Sequence, residues 1–166
     1  MENFLELGVE WTETQKHLAN AILSHQLVLY KSERRNGTTM VLCGWIASMM
    51  QHCQVPFTIV VYVTTPVTQR IFLKTLQRLV GDGGSGKVTL YVWCETKKHV
   101  SPLIPDALIV DNADHVDPKI ILTRVVPLLQ MARNCKMVLT HAGDSSLINM
   151  FEEYFHCVTS IPRSSL

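Results

Sequence analysis

No run of apolar residues in this sequence reaches the roughly 18–20 needed to cross a bilayer, so no membrane-spanning helix is expected. The five cysteines, Cys43, Cys53, Cys94, Cys135 and Cys157, are odd in number and form no Cys-x-x-Cys pair. That spacing argues against a disulfide framework and for buried, reduced thiols. His52-Cys53 and His156-Cys157 are adjacent pairs, but neighbouring residues do not converge on one zinc ion without further ligands. Charge is scarce too: 17% of residues are charged and the net charge is +1. Any anionic partner must therefore be met by a local patch. The opening Met-Glu-Asn-Phe-Leu-Glu carries neither a basic region nor a cleavable signal, and an intracellular protein of cytosol or nucleus is expected. There is no internal repeat and no linker.

What is present is apolar substance. Hydrophobic residues make up 47% of 166 positions, enough for one domain over residues 1–166 with a full core. Thr12-Glu-Thr-Gln15 reads as a capping box opening a helix to Ser24. A short strand over Gln26–Tyr30 follows, then a helix over Thr38–His52 that is apolar nearly all round and hence buried. Phe57–Val63 is a continuously apolar, β-branched strand, the pattern of a parallel sheet covered on both faces. Pro66 starts an amphipathic helix to Val80. Strands are predicted at Val88–Trp93, Ala107–Asp111, Lys136–Thr140 and Cys157–Ile161. Helices are predicted at Pro118–Arg133, kinked at Pro127, and at Ser145–Tyr154. Strands alternating with helices predict an α/β fold, a three-layer, doubly wound and mainly parallel sheet.

The chemistry concentrates where the first strand meets the second helix. Lys31-Ser-Glu-Arg34-Arg35-Asn36-Gly37-Thr38-Thr39 has the layout of a P-loop, whose backbone N–H groups and helix N-terminus hold phosphate oxygens. The usual loop ends Gly-Lys-Ser/Thr; here Thr38 stands in the lysine's place. Lys31, Arg34 and Arg35 carry positive charge earlier in the loop, and a lysine at its first residue can fold across it. Thr38 or Thr39 offers a hydroxyl to Mg²⁺. An ordinary strand-to-helix turn with solvated arginines is the plainer reading.

Three more segments lie at strand ends. Asp111, closing Leu108-Ile-Val-Asp111, suits Mg²⁺ binding at the sheet's carboxyl edge, or else caps the next helix. Asn112 follows where a water-polarising glutamate commonly stands, and Asp114 lies two residues on. Thr140-His141-Ala-Gly143-Asp144 occupies the place of a γ-phosphate sensor, or forms a turn with Asp144 as cap. Thr64, Thr65 and Arg70 offer hydroxyls, a helix start and a cation to a nucleic-acid phosphate, or simply a capped helix. Gly81-Asp-Gly-Gly-Ser-Gly86-Lys87 imitates a P-loop but sits after a helix and before a strand, the reverse of the required order.

Taken in order, these elements resemble the ATPase domain of viral large terminases, which pump DNA into procapsids. Arg34-Arg35-Asn36-Gly37-Thr38-Thr39 is similar to that family's Arg-Arg-x-Gly-Lys-Thr except at the lysine. Lys31-Ser-Glu-Arg34 resembles a variant with the lysine at the loop's start. Val110-Asp111-Asn112-Ala113-Asp114 is similar to Val-Asp-Glu-Ala-Asn, with Asn112 at the glutamate position. The resemblance, shared with superfamily 1 and 2 helicases, implies a RecA-like P-loop NTPase. It implies Gln15 at adenine, residues 31 and 34–39 at nucleotide, and Mg²⁺ with ATP at Thr38 and Asp111. Lys31, Arg35, Asp111 and Asp114 become catalytic candidates and Thr140 and His141 coupling residues. DNA and other subunits of a packaging or helicase assembly are the implied partners. Loss of both the loop lysine and the acid after Asp111 points to weak or absent hydrolysis. Three functions follow: a terminase-type ATPase, a single helicase-like domain, or a non-catalytic relative binding nucleotide, DNA or protein. All require residues 31–39 and Asp111 to face one another across the carboxyl ends of adjacent strands.

Overall fold

The computed structural model of the protein describes residues 7–33, 36–84, 86–94, 104–131 and 134–160. The chain alternates α1 (Glu13–Ser24), β1 (Leu27–Lys31), α2 (Thr38–His52), β2 (Phe57–Val63), α3 (Pro66–Val80), β3 (Val88–Cys94) and β4 (Ala107–Val110). A 3₁₀ turn (Ala113–His115), α4 (Pro118–Ile120), a π-helical segment (Ile121–Val125), α5 (Val126–Met131), β5 (Lys136–His141), α6 (Ser146–Asn149) and β6 (His156–Thr159) follow. Six strands form one sheet in the order β3-β2-β4-β5-β1-β6, every neighbouring pair parallel.

Period-two alternation divides the core between the two faces. Ile59, Val61, Ala107 and Ile109 pack with α1, α2 and α3, through Leu18, Ile22, Trp45, Ile46 and Phe72. Val60, Tyr62, Leu108 and Val110 pack on the other face with Ile121, Val125, Leu128, Ile148 and Phe151. Burying each of these large side chains is worth about 1.5–3 kcal/mol. The central strands β4 and β5 are buried at every residue; β4 accordingly reads as an unbroken apolar run, whereas β5 buries Lys136, Thr140 and His141 at its two ends.

Two helix expectations change. The helix predicted over Pro118–Arg133 is broken by the π segment Ile121–Val125 just before Pro127; proline has no N–H and its ring crowds the carbonyl four residues back, so the ladder shifts register there. Residues 132–133 lie outside the described residues. The helix predicted over Ser145–Tyr154 is helical only over Ser146–Asn149, and turns complete the stretch. The thiols also differ from expectation: Cys43, Cys94 and Cys135 are buried, Cys53 is half-buried, and Cys157 is exposed.

Candidate functional site

The loop joining β1 to α2 is built on Gly37, the N-cap of α2, at φ 70° and ψ 26°. This left-handed conformation suits glycine, and a Cβ here would also run into Gln15 Nε2. The contact follows from the capping box of α1. Gln15 Oε1 accepts from the Thr12 N–H at 2.9 Å, and Thr12 Oγ1 accepts from the Gln15 N–H at 3.3 Å. So held, Gln15 turns its amide to the Gly37 carbonyl at 3.4 Å. The N–H groups of Met40 and Val41 both close on the Gly37 carbonyl. Those of Thr38 and Thr39 therefore project ahead of the helix, the arrangement that receives an anion. In the same loop the Asn36 side-chain nitrogen is buried with no hydrogen-bond partner among the described residues. Arg34 and Arg35 lie outside the described residues.

Asp111, 3% exposed, is the centre of the polar network. Thr39 donates to its Oδ2 at 2.7 Å and Thr140 to its Oδ1 at 2.9 Å. Thr140 Oγ1 in turn accepts from the Asn112 N–H at 3.0 Å. Burial pushes the Asp111 carboxyl above its ordinary value, and the hydrogen bonds from Thr39, Thr140 and Asn112 oppose that rise without cancelling it. Thr39, rather than Thr38, is thus the hydroxyl brought to Asp111, because consecutive helical side chains point about 100° apart.

The strand order corrects one expectation. β1 and β4 are not neighbours, since β5 lies between them. Thr140, at the carboxyl end of β5 and paired with Tyr30 of β1, fills the gap beneath Asp111. The two segments nonetheless share the sheet's carboxyl edge, where ligands of open α/β sheets bind.

Lys31 does not fold over the loop. Its ammonium is ion-paired with Asp144, in the turn after β5, and the pairing raises the lysine's pKa and lowers the aspartate's. Asp144 is therefore not the cap of α6; Ser145 holds that position, without a side-chain cap bond. Asp114 is committed as well, for its oxygens accept from the Ala142 and Gly143 N–H groups at 3.3 and 3.0 Å. It staples the turns after β4 and β5 together. His141, buried at 3% exposure, bonds through Nδ1 to the Gly143 carbonyl at 2.9 Å. Asn112 is the one non-glycine among the described residues with positive φ, at 56°, a conformation asparagine tolerates better than most.

Thr64 and Thr65 lie at the end of β2, beside β4. Thr65 caps α3, with Thr68 returning the bond, and Thr64 Oγ1 is 3.3 Å from Thr68 Oγ1. Arg70 is exposed on α3. The glycine-rich decoy loop joins α3 to β3 at the amino edge, away from this network.

The large terminase of bacteriophage HK97 superposes with a TM-score of 0.71 at 15% identity, over 93% of this chain and 40% of that one. The chain has the RecA-like α/β fold of terminase and helicase domains. A DEAD box protein from the hyperthermophile Methanococcus jannaschii matches at TM-score 0.71 and 11% identity, over 100% of this chain and 55% of that one. A hypothetical ATP-dependent RNA helicase from Sulfolobus tokodaii matches at 0.63 and 15%, over 95% and 55%. The chain thus spans only about half the length of these proteins or less. No family model and no curated protein sequence matches it.

Proposed function

We propose that the chain is a terminase-like P-loop domain that binds Mg·ATP at the β1–α2 loop, hydrolyses it weakly or not at all, and handles DNA within a larger assembly. The observation that carries the reading is the 2.7 Å bond from Thr39 to Asp111. It couples a helix-N-terminal hydroxyl to a strand-end carboxylate, a hard-oxygen donor set suited to Mg²⁺. The Asn36 side-chain nitrogen of the same loop, unpartnered among the described residues, fits the same reading, because a phosphate oxygen would satisfy it. Thr39 and Asp111 would hold the magnesium, which neutralises phosphate charge when bound.

The chain's own residues favour binding over turnover. Asn112 cannot take a proton, both Asp114 oxygens already accept backbone N–H groups, and Lys31 is engaged by Asp144. Removing such electrostatic partners from phosphoryl transfer costs orders of magnitude in rate. A second reading, a single helicase-like domain, is favoured by the contact of Gln15 with Gly37, which places a glutamine amide against the phosphate loop.

Calorimetric Mg·ATP titration and phosphate-release assays on wild type, Thr39→Ala, Asp111→Ala and Lys31→Ala test the proposal. Binding by the wild type that is lost in the Thr39 and Asp111 variants, with little turnover, is the expected result. No Mg·ATP binding by the wild type removes nucleotide from the function. Rapid turnover refutes the weak-hydrolysis assignment.

A further inference from the structure

Helix α3 carries three cations, Arg70, Lys74 and Arg78, and no acidic residue over its fifteen positions. Phe72 and Leu76 anchor its inner side in the core. At 100° per residue the four-residue spacing sets the three cations along the opposite, outward side, where all three are exposed. Val67 and Ile71, 64% and 55% exposed, share that side. No ion pair engages the three cations among the described residues. An open hollow of about 440 Å³ lies at the far end of the stripe, lined by Lys74, Gln77, Arg78, Gly81 and Asp82. Asp82, past the helix, is the acid nearest in sequence.

A stripe of one charge on a protein of net charge +1 is a local departure from the whole. Successive cations rise about 6 Å along the axis and the set spans about 12 Å. One strand of duplex DNA carries a phosphate about every 3.4 Å, so the stripe faces three or four of them. The helix starts at the carboxyl end of β2, next to β4 and the turn bearing Asp111. A polyanion lying along α3 would therefore begin beside the phosphate loop's edge of the sheet. Even cation spacing, without the alternating acids of a protein-docking face, matches a phosphate backbone. Val67 and Ile71 add apolar contact suited to sugar rings.

We propose that the outward face of α3, through Arg70, Lys74 and Arg78, is a sequence-independent contact surface for a nucleic-acid backbone. This rests on the DNA-handling part of the proposed function and names the surface that performs it. The test is fluorescence anisotropy of the full chain with a labelled 30-base-pair duplex at about 50–200 mM salt. Wild type, the triple variant Arg70→Gln/Lys74→Gln/Arg78→Gln and the control Lys119→Gln are compared, with circular dichroism confirming folding. The expected result is weaker binding by the triple variant and a log–log salt slope shallower by about 2–3, since each phosphate contact contributes about 0.9. Lys119→Gln should match wild type, and Mg·ATP binding by the triple variant should be unchanged. Wild-type DNA affinity and slope in the triple variant overturn the α3 surface while leaving DNA handling intact. No DNA binding by wild type overturns both. Wild type binding polyglutamate more tightly than duplex assigns the face to an acidic protein and overturns the proposal.

Discussion

Thr39 and Asp111, 72 residues apart in sequence, are joined by a 2.7 Å hydrogen bond in which the threonine hydroxyl donates to the carboxylate. The bond ties the first turn of α2 to the tip of β4 over the end of β5. Asp111 is nevertheless an expensive residue to bury, since its hydrogen bonds do not offset the loss of hydration.

Asp111→Asn should therefore stabilise the fold, by about 1 kcal/mol or ~2–4 °C in Tm at neutral pH. The carboxyl's folded pKa lies above its ordinary value of 3.8. Its favourable contribution is thus complete below that value and is lost as pH rises through the folded pKa. The advantage of the asparagine variant should accordingly vanish in acid and grow towards neutrality. Thermal melts across pH check this; a variant less stable than wild type at neutral pH contradicts it.

Gly37→Ala should cost about 1–3 kcal/mol, combining left-handed strain with a clash against Gln15. Adding Gln15→Ala removes only the clash. In urea melts of the double-mutant cycle, Gly37→Ala should cost less when Gln15 is already alanine. Equal cost in both backgrounds would mean that the glutamine contact is energetically idle.

Lys136, buried at the start of β5, donates to the His25 carbonyl at 2.8 Å and lies 5.9 Å from the Trp45 ring centroid. Burial pushes its pKa down to about 8. A lysine lowered on folding disfavours the native state while both states are protonated. Stability should therefore rise as pH climbs from about 8 towards 10.5, the range in which only the unfolded chain stays charged. Lys136→Met should flatten that rise in chemical-denaturation curves recorded between pH 7 and 10.

Asp144→Ala should leave stability unchanged, because both partners of the Lys31 ion pair are exposed. It frees the ammonium, so Mg·ATP affinity should rise, by up to about tenfold. A fall in affinity would show that Lys31 serves the loop best from its present position.

Much of this architecture was legible in the chain itself. The bounds of α2, β2 and α3 follow from Gly37, the β-branched run and Pro66, all local signals. The π segment before Pro127 was not legible, because a proline announces a break but not which register the ladder takes. Strand order was not legible either: local pattern identifies β1, β4 and β5 but not that β5 separates the other two. The site shows the same division. Gly37 and Asp111 announce themselves by residue type and strand position. The choice of Thr39 over Thr38 depends on helical phase against a distant acid. The capture of Lys31 by Asp144 spans 113 residues and has no signature in either neighbourhood.

The position of β5 bears on how the molecule is made. β1 pairs only with β5 and β6, whereas β2, β3 and β4 pair among themselves. During synthesis, the strand that leads into the β1–α2 loop therefore waits without a lateral neighbour until β5, far downstream in the chain, has been made. The two halves of the site are thus made apart, and they come together only across a strand that is translated after both.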